Sequence, residues 1–400
     1  MNRLYTSLVF FISFLCVSAQ SPEAIEKDSL RQLATDSLYQ LALENRYKNP
    51  LRANAYITSY YKRVNRKDAY PEKYKATYLK AEIYNVLGQK DSAYFFVDES
   101  LQLATQANDE ENYYHSLRLK GSISFTYHDH ASALTYYTKV YEYYKKLNDV
   151  ARLAKIRHSM ALIENQIGRR KQALMKAKEN LHLYNEGILD KQAHVTEYLN
   201  VLLSVSNSYT TIADDFTEER TKYLDSAMTY NTLGLQTSYE VNDLEIHSIF
   251  LLVQGIIYQK KGAFSQALTY LNDSEKLILK LSMYNQLSVV YLHQGKNYFF
   301  QNEIDNALRY LHKADSIITK DDAYSHNLQE TYSLLAKSYE KKKDVNTAST
   351  YWNIFQKKNK ENEVLMRKVS ENLYKKYYVP SFVNKIELLE KEAKNKQFLS

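Results

Sequence analysis

The sequence predicts an all-α solenoid of about eight stacked helix pairs, each close to forty residues long. Three observations predict it. Among 400 residues there are only 8 Gly and 4 Pro. That is far below ordinary usage, and both residues weaken helix interiors, so a mostly helical chain follows. Alanines return at Ala53, Ala93, Ala133, Ala173, Ala227, Ala267, Ala307 and Ala348, with gaps of 40, 40, 40, 54, 40, 40 and 41. Self-similarity at a fixed period is the signature of a repeat array. A second set keeps the same beat. Twelve residues before each alanine stand Leu41, Ala81, Gly121, Ala161, Gly255, Gly295 and Ala336, nearly all small, with Ser206 in that role in the displaced fifth unit.

Aromatic residues follow both sets. Three residues after the alanines come Tyr56, Phe96, Tyr136, Lys176, Tyr230, Tyr270, Tyr310 and Tyr351; three after the small residues come Tyr84, Tyr209, Tyr258, Tyr298 and Tyr339. Residues three apart share a helix face. Each unit therefore reads as two amphipathic helices whose small residues allow close approach while tyrosines fill the space beside them. In residues 255–274, Gly262 marks the break between helices, and Phe264, Ala267, Leu268 and Leu271 form the buried stripe of the second. Gly88, Gly168 and Gly262 recur at that break, Gly234 takes another shared slot, and Gly187 alone stands outside the scheme. Nine residues are inserted between Ser206 and Ala227, around the acidic run Asp214–Glu219, where a longer turn or helix is expected.

The ends differ in kind. Residues 1–19 read as a secretory signal, with Arg3, the apolar run Leu8–Val17 and the small-residue site Val17-Ser18-Ala19. Ten apolar residues rise only about 15 Å as a helix, half a bilayer core. Cys16 is the one cysteine and lies in this leader, so the processed chain is expected to carry neither disulfide nor thiolate chemistry. The array is expected over 28–358. A charged helical stem or cap follows over 359–400, where Val364, Leu365, Val369 and Leu373 keep apolar spacing until Pro380. Of the net charge of +7, residues 357–400 carry +5 and Arg3 one more, leaving +1 for the long middle. A phosphate-binding stripe is not expected from that balance, and nucleic acid drops out as a partner.

The set Gly255, Tyr258, Gly262, Ala267 and Tyr270, like Ala81, Tyr84, Gly88, Ala93 and Phe96, resembles the tetratricopeptide repeat (TPR) over about residues 34–358. The period is 40 rather than the family's 34, and the family's closing proline is missing. The resemblance implies a right-handed superhelix whose concave side is lined by first helices. It also implies that ligands meet positions three before and one after each small residue. Those are Tyr78 and Glu82, Arg118 and Ser122, His158 and Leu162, Leu203 and Asn207, Leu252 and Ile256, and Leu292 and Lys296. Arg118, Ser122, His158, Asn165, Asn207 and Lys296 are the candidate groove-binding residues.

No catalytic pattern accompanies them. His128-Asp129-His130 is the one tight cluster of metal-competent side chains, but it falls at an inter-helix turn and adjacent residues diverge. No phosphate-cradling glycine motif or nucleophile elbow occurs. Neither enzyme, metal nor cofactor is expected. By its resemblance to the exported TPR region of bacterial sensor kinases and transcriptional regulators, the chain is expected to be periplasmic. There it would be a non-enzymatic module binding a protein or peptide, in its finer form a sensor input, with membrane contact only through a span beyond Ser400. The competing class is a structural envelope scaffold. Cytosolic pheromone-peptide receptors with similar long repeats are disfavoured by the leader.

Overall fold

The computed structural model describes residues 33–375, 379 and 383, apart from 66–69, 282, 284, 285 and 319–324. Residues 1–32, which include the segment expected as a leader, and nearly all of 376–400 lie outside the described residues. Among those described there is no strand. The helices are α1 Thr35–Asn45, α2 Pro50–Val64, α3 Tyr70–Val86, α4 Lys90–Gln106, α5 Glu110–Thr126, α6 His130–Lys146, α7 Val150–Gln166 and α8 Arg170–Asn185. They continue with α9 Val195–Ile212, α10 Arg220–Glu240, α11 Leu244–Lys260, α12 Phe264–Lys280, α13 Leu287–Phe300, α14 Ile304–Ile318, α15 Ser325–Lys341 and α16 Val345–Leu373. The architecture is an all-α solenoid of paired helices. Odd helices carry the small residue, replaced by Leu41 in α1, and even helices the alanine. Two units, divided at Leu119/Lys120 within α5, each have a core.

The helices end by one local device, repeated. Gly88, Asn108, His128, Asn148 and Gly168 fall twenty residues apart, all at positive φ (52° to 79°), and Asn242, Gly262, Asn302 and Lys343, spaced 20, 40 and 41 residues, are also at positive φ. Each sits just past a helix end in the left-handed region, so the next amide can return to a carbonyl five residues back, as Asp129 does to Ser124 (2.9 Å) and Asp149 to Tyr144 (3.1 Å). The residue after this turn then starts the next helix. Asp129, Asp149, Asp243 and Asp344 accept the amides of Ser132, Arg152, Ile246 and Thr347. Pro50 and Pro71 lie in first turns, where no amide hydrogen is needed.

This turn chemistry accounts for His128-Asp129-His130. His128 holds the left-handed position (φ 61°), Asp129 caps α6, and His130 is buried, its imidazole pushed down to about 4 by loss of solvent. A non-glycine residue pays a steric cost at positive φ. His128→Gly is expected to raise stability by about 0.5–1 kcal/mol, read as a higher denaturation midpoint; a lower one would contradict the assignment.

All eight beat alanines are buried, none more than 2% exposed. The small residues opposite them set the closeness of the pairs. A Cβ on Gly255 would lie 2.7 Å from Leu271 Cγ and 3.1 Å from the Ala267 carbonyl oxygen. On Gly295 it would meet Leu311 Cγ at 2.8 Å, and on Gly121 the Tyr137 ring at 2.9 Å. In five of the pairs the aromatic residues stack in register. Tyr84 lies on Phe96, Tyr209 on Tyr230, Tyr258 on Tyr270, Tyr298 on Tyr310 and Tyr339 on Tyr351, with centroids 5.4–6.0 Å apart and planes within 12°. Such pairs contribute about 0.5–1.5 kcal/mol beyond burial.

In the first unit, α1 to α3 surround Leu38, Ile57, Leu79 and Ile83. Lys80 is 3% exposed. Its ammonium donates to Thr58 Oγ1 (3.1 Å) and lies 4.5–5.2 Å from the Phe96, Tyr84 and Tyr61 rings. Burial pulls the amine down to about 8, against the pull of Glu99. The folded state thus holds this proton less firmly than the unfolded chain, and the cost of burying the charge is full below pH 8. It is relieved as pH climbs toward the unfolded value near 10.5. Stability is expected to rise by about 2 kcal/mol between pH 8 and 10 through this group, and Lys80→Met to flatten the rise. An unchanged pH slope in the variant would contradict this.

In the second unit the nine inserted residues are divided. One extends the end of α9, four lengthen the connection 213–219, and four add a turn to the start of α10. At the far end, α16 is 29 residues long and runs unbroken through 359. It pairs with α15 and also meets α6; Val369 and Leu373, beyond the reach of the 17-residue α15, are buried. No described helix is long and apolar enough to cross a membrane.

Candidate functional site

In the first unit, Tyr70, Tyr74 and Tyr78 follow one another at helical spacing on α3, with centroids about 6 Å apart. Tyr78 stacks on His115 of α5 (4.4 Å, 10°), and Arg118 donates to its hydroxyl (2.9 Å). Burial pushes the Tyr78 hydroxyl up to about 12. Arg118 is thus tied to the preceding first helix. A cavity of about 320 Å³ opens beside this wall, bounded also by Tyr39, Glu82 and Asn112.

In the second unit, His158 and Asn165 share a face of α7, seven residues apart. Asn200, Asn207 and Thr211 share one on α9, at i, i+7 and i+11. The two first helices are in contact, and Thr211 Oγ1 donates to Asn165 Oδ1 (3.3 Å) at one end. Further along, Lys296 pairs with Glu330 of α15. Ser122 lies in the last turn but one of α5, its carbonyl accepting Thr126 Oγ1 (3.1 Å). The structure therefore brings His158, Asn165 and Asn207 onto one pair of helices. Arg118, Ser122 and Lys296 belong to other parts of the array.

Where α7 and α9 diverge, a cavity of about 290 Å³ opens between them. Ala151, Ala154, Tyr184, Leu189 and Val201 supply an apolar floor; Lys155, His158, His194, Glu197 and Asn200 supply polar groups. Lys155 and Glu197 pair across it (2.8 Å), and Lys155 holds the Glu197 carboxyl below its usual range. Burial lowers the His158 imidazole, keeping it neutral at pH 7. Among the described residues, nothing hydrogen-bonds the side chain of His158 or that of Asn200. Ser159 donates to the Lys155 carbonyl (3.2 Å) rather than to His158, so the two do not make a nucleophile and base. Beneath, Asn180 donates to the Ala154 carbonyl (2.8 Å) and accepts from Arg157 (2.8 Å), fixing the α7 backbone that forms the floor.

The sequence offered one signal for this cavity, Gly187, the glycine outside the beat. It adopts φ 69° and opens the connection 186–194. There Asp190 Oδ1 accepts the amides of Gln192 (2.7 Å) and Ala193 (2.8 Å), and Leu189 and His194 are delivered to the cavity wall. An apolar pocket with a few convergent polar groups is the usual form of a ligand site. Among the described residues no group of three His, Cys, Asp or Glu side chains is placed to hold a metal.

Solved structures resemble this chain over most of its length, among them the following. The apo form of the quorum sensor NprR from B. thuringiensis aligns with TM-score 0.57 at 11% identity, covering 84% of this chain and 91% of that one. Apo RapI aligns with TM-score 0.55 at 12% identity, covering 72% and 100%. A Rap protein complexed with competence and sporulation factor aligns with TM-score 0.54 at 11% identity, covering 87% and 99%. The fold is a TPR-type helical repeat. At such identities the likeness concerns the fold alone. No family model matches the chain, and the comparison with curated proteins found no match.

Proposed function

We propose that this TPR-type chain is a non-enzymatic binding module that takes a peptide or an extended protein segment along α7 and α9, with one apolar side chain seated in the cavity beneath His158 and Asn200. The observation that carries this reading is the pairing of an apolar floor with amide and imidazole groups that lack partners, since a peptide offers both an apolar side chain and a backbone to hydrogen-bond. The likeness to a Rap protein complexed with competence and sporulation factor and to a quorum sensor supports binding over pure scaffolding. The finer reading, an exported periplasmic sensor input, rests on the leader read at residues 1–19 and on the resemblance to the exported TPR region of bacterial sensor kinases and transcriptional regulators.

Selection of a displayed peptide library tests this. Peptides retained by the unmodified protein are expected to lose about tenfold in affinity on Asn200→Ala, the worth of one good hydrogen bond. On Ala151→Phe, which fills the cavity, binding is expected to vanish while the melting profile is kept. Failure to enrich any peptide, or peptides indifferent to both substitutions, would overturn the reading.

A further inference from the structure

The inserted segment at 213–219 has a use beyond lengthening a turn. Asp215 pairs with Arg170 (2.5 Å) of the preceding unit, and Phe216 lies under Lys171 (4.4 Å). Asp214 reaches the other way. Both its oxygens lie 2.5 Å from Lys260 Nζ at the end of α11. The Lys260 side chain is 16% exposed, and the charges that bear on it are Asp214, Lys296 and Arg220. Arg220, the first residue of α10, donates to the Lys260 carbonyl (3.2 Å) and makes no ion pair among the described residues. Lys296 pairs with Glu330, whose carboxyl burial would raise but which Lys296 and Lys260 together hold low. Beneath them His293 is neutral at pH 7, pushed down to about 4 by burial, and hydrogen-bonded to Gln259 (2.7 Å).

Three cations on α10, α11 and α13 thus face two carboxylates, one on α15 and one on the exposed connection that follows α9. The side chain of Asp214 is 44% exposed while the ammonium it covers is on a helix end. One positive charge is left over even with Asp214 in place.

We propose that Arg220, Lys260 and Lys296 form a carboxylate-binding subsite, occupied in the free protein by Asp214, so that the 213–219 connection is a latch that an acidic ligand displaces. The subsite rests on the reading of this chain as a peptide-binding module, but it shares no residue with the α7–α9 cavity. A ligand carboxylate bridging Lys260 and Arg220 gains two charge-assisted partners where Asp214 has one. It competes with Asp214 at high effective concentration, so affinity in the free protein is lowered by the fraction of time the latch is open.

The test uses dye-labelled acetyl-hexaglutamate amide in fluorescence anisotropy at low salt. Asp214→Asn is expected to bind it about tenfold more tightly than the unmodified protein, the factor set by a latch closed about nine-tenths of the time. Adding Lys260→Met to that variant should abolish the gain, and acetyl-hexaglutamine amide should show none. Acetyl-hexaglutamine with a free C-terminus separates the two sources of carboxylate. Binding of that peptide assigns the subsite to a chain end, and its failure alongside hexaglutamate binding assigns it to acidic side chains. In the unmodified protein, saturating hexaglutamate should speed hydrogen exchange at 213–219. Asp214→Asn binding no tighter, or exchange left unchanged, would overturn the proposal. Library peptides that still depend on Asn200 under that outcome would leave the cavity reading intact.

Discussion

Gly234→Ala is expected to destabilise the second unit by about 3 kcal/mol, at the upper end of the cost of overpacking a buried contact. Gly234 lies on α10 and faces Phe250 of α11, sixteen residues on, the same offset that separates Gly255 from Leu271 and Gly295 from Leu311. A Cβ there would overlap the edge of the Phe250 ring, within 2.8 Å even of Cδ1. The ring cannot yield cheaply. Phe250 is fully buried and packs in the cluster that holds Leu199, Leu202 and Val205. Denaturant titration followed by helix content measures the loss, and Phe250→Leu in the same chain should restore part of it because the two sites share one contact. Gly88→Ala makes the contrast. Nothing lies within 4 Å of its Cβ, so only the φ of 71° opposes it, at about 1 kcal/mol. Equal losses at the two glycines would contradict the close-packing account.

Asn231→Leu should cost about as much by a different route. The side chain is fully buried on α10. Its amide donates to the Phe250 carbonyl (3.0 Å) and to Gln254 Oε1 (2.6 Å) on α11, and its oxygen accepts from Ser206 of α9 (3.5 Å). One residue therefore joins the second helix of its unit to its own first helix and to the next. Leucine of similar size keeps the volume but leaves the Gln254 side-chain oxygen buried without a donor and strips the Phe250 carbonyl of its second one, at about 1–3 kcal/mol for such groups. The loss is expected at about 3 kcal/mol in the same denaturation assay. A loss under about 0.5 kcal/mol would mean that water or a neighbour replaces the amide.

The pattern of these two sites shows which features a sequence makes legible. Gly234 and the beat alanines could be read because their role depends on backbone closeness, which recurs wherever the same helix pair recurs. The stacks Tyr258–Tyr270 and Tyr298–Tyr310 could be read for the same reason: residues three from each small position must meet when the pairs pack in register. Asn231 and Lys80 could not. Each is polar in a chain where polar residues mark the outside, and what makes it internal is a partner on another unit. Those partners stand off the beat, 22 residues away for Lys80–Thr58, 19 for Asn231–Phe250 and 23 for Asn231–Gln254. The groove candidates His158, Asn165 and Asn207 follow only from the resemblance to the TPR, which puts them on first helices without showing where those helices part. The cavity was set by the connection at Gly187, which breaks the beat. The twenty-residue turn rhythm was hidden because Gly, Asn, His and Lys all fill its left-handed slot.

The register of the eight pairs can be tested by thiol labelling, since Cys16 is the one native cysteine and is readily replaced by serine. Single cysteines at Ala53, Ala93, Ala133, Ala173, Ala227, Ala267, Ala307 and Ala348 are predicted to react at least a hundredfold more slowly than cysteines at the exposed positions Phe95, Lys139 and Met175, by analogy with exchange limited by local opening of about 3 kcal/mol or more. Uniform protection at the alanines beside fast labelling at the exposed sites is the predicted result. Alanine positions that label as quickly as the exposed ones in a chain of unchanged helix content would contradict it.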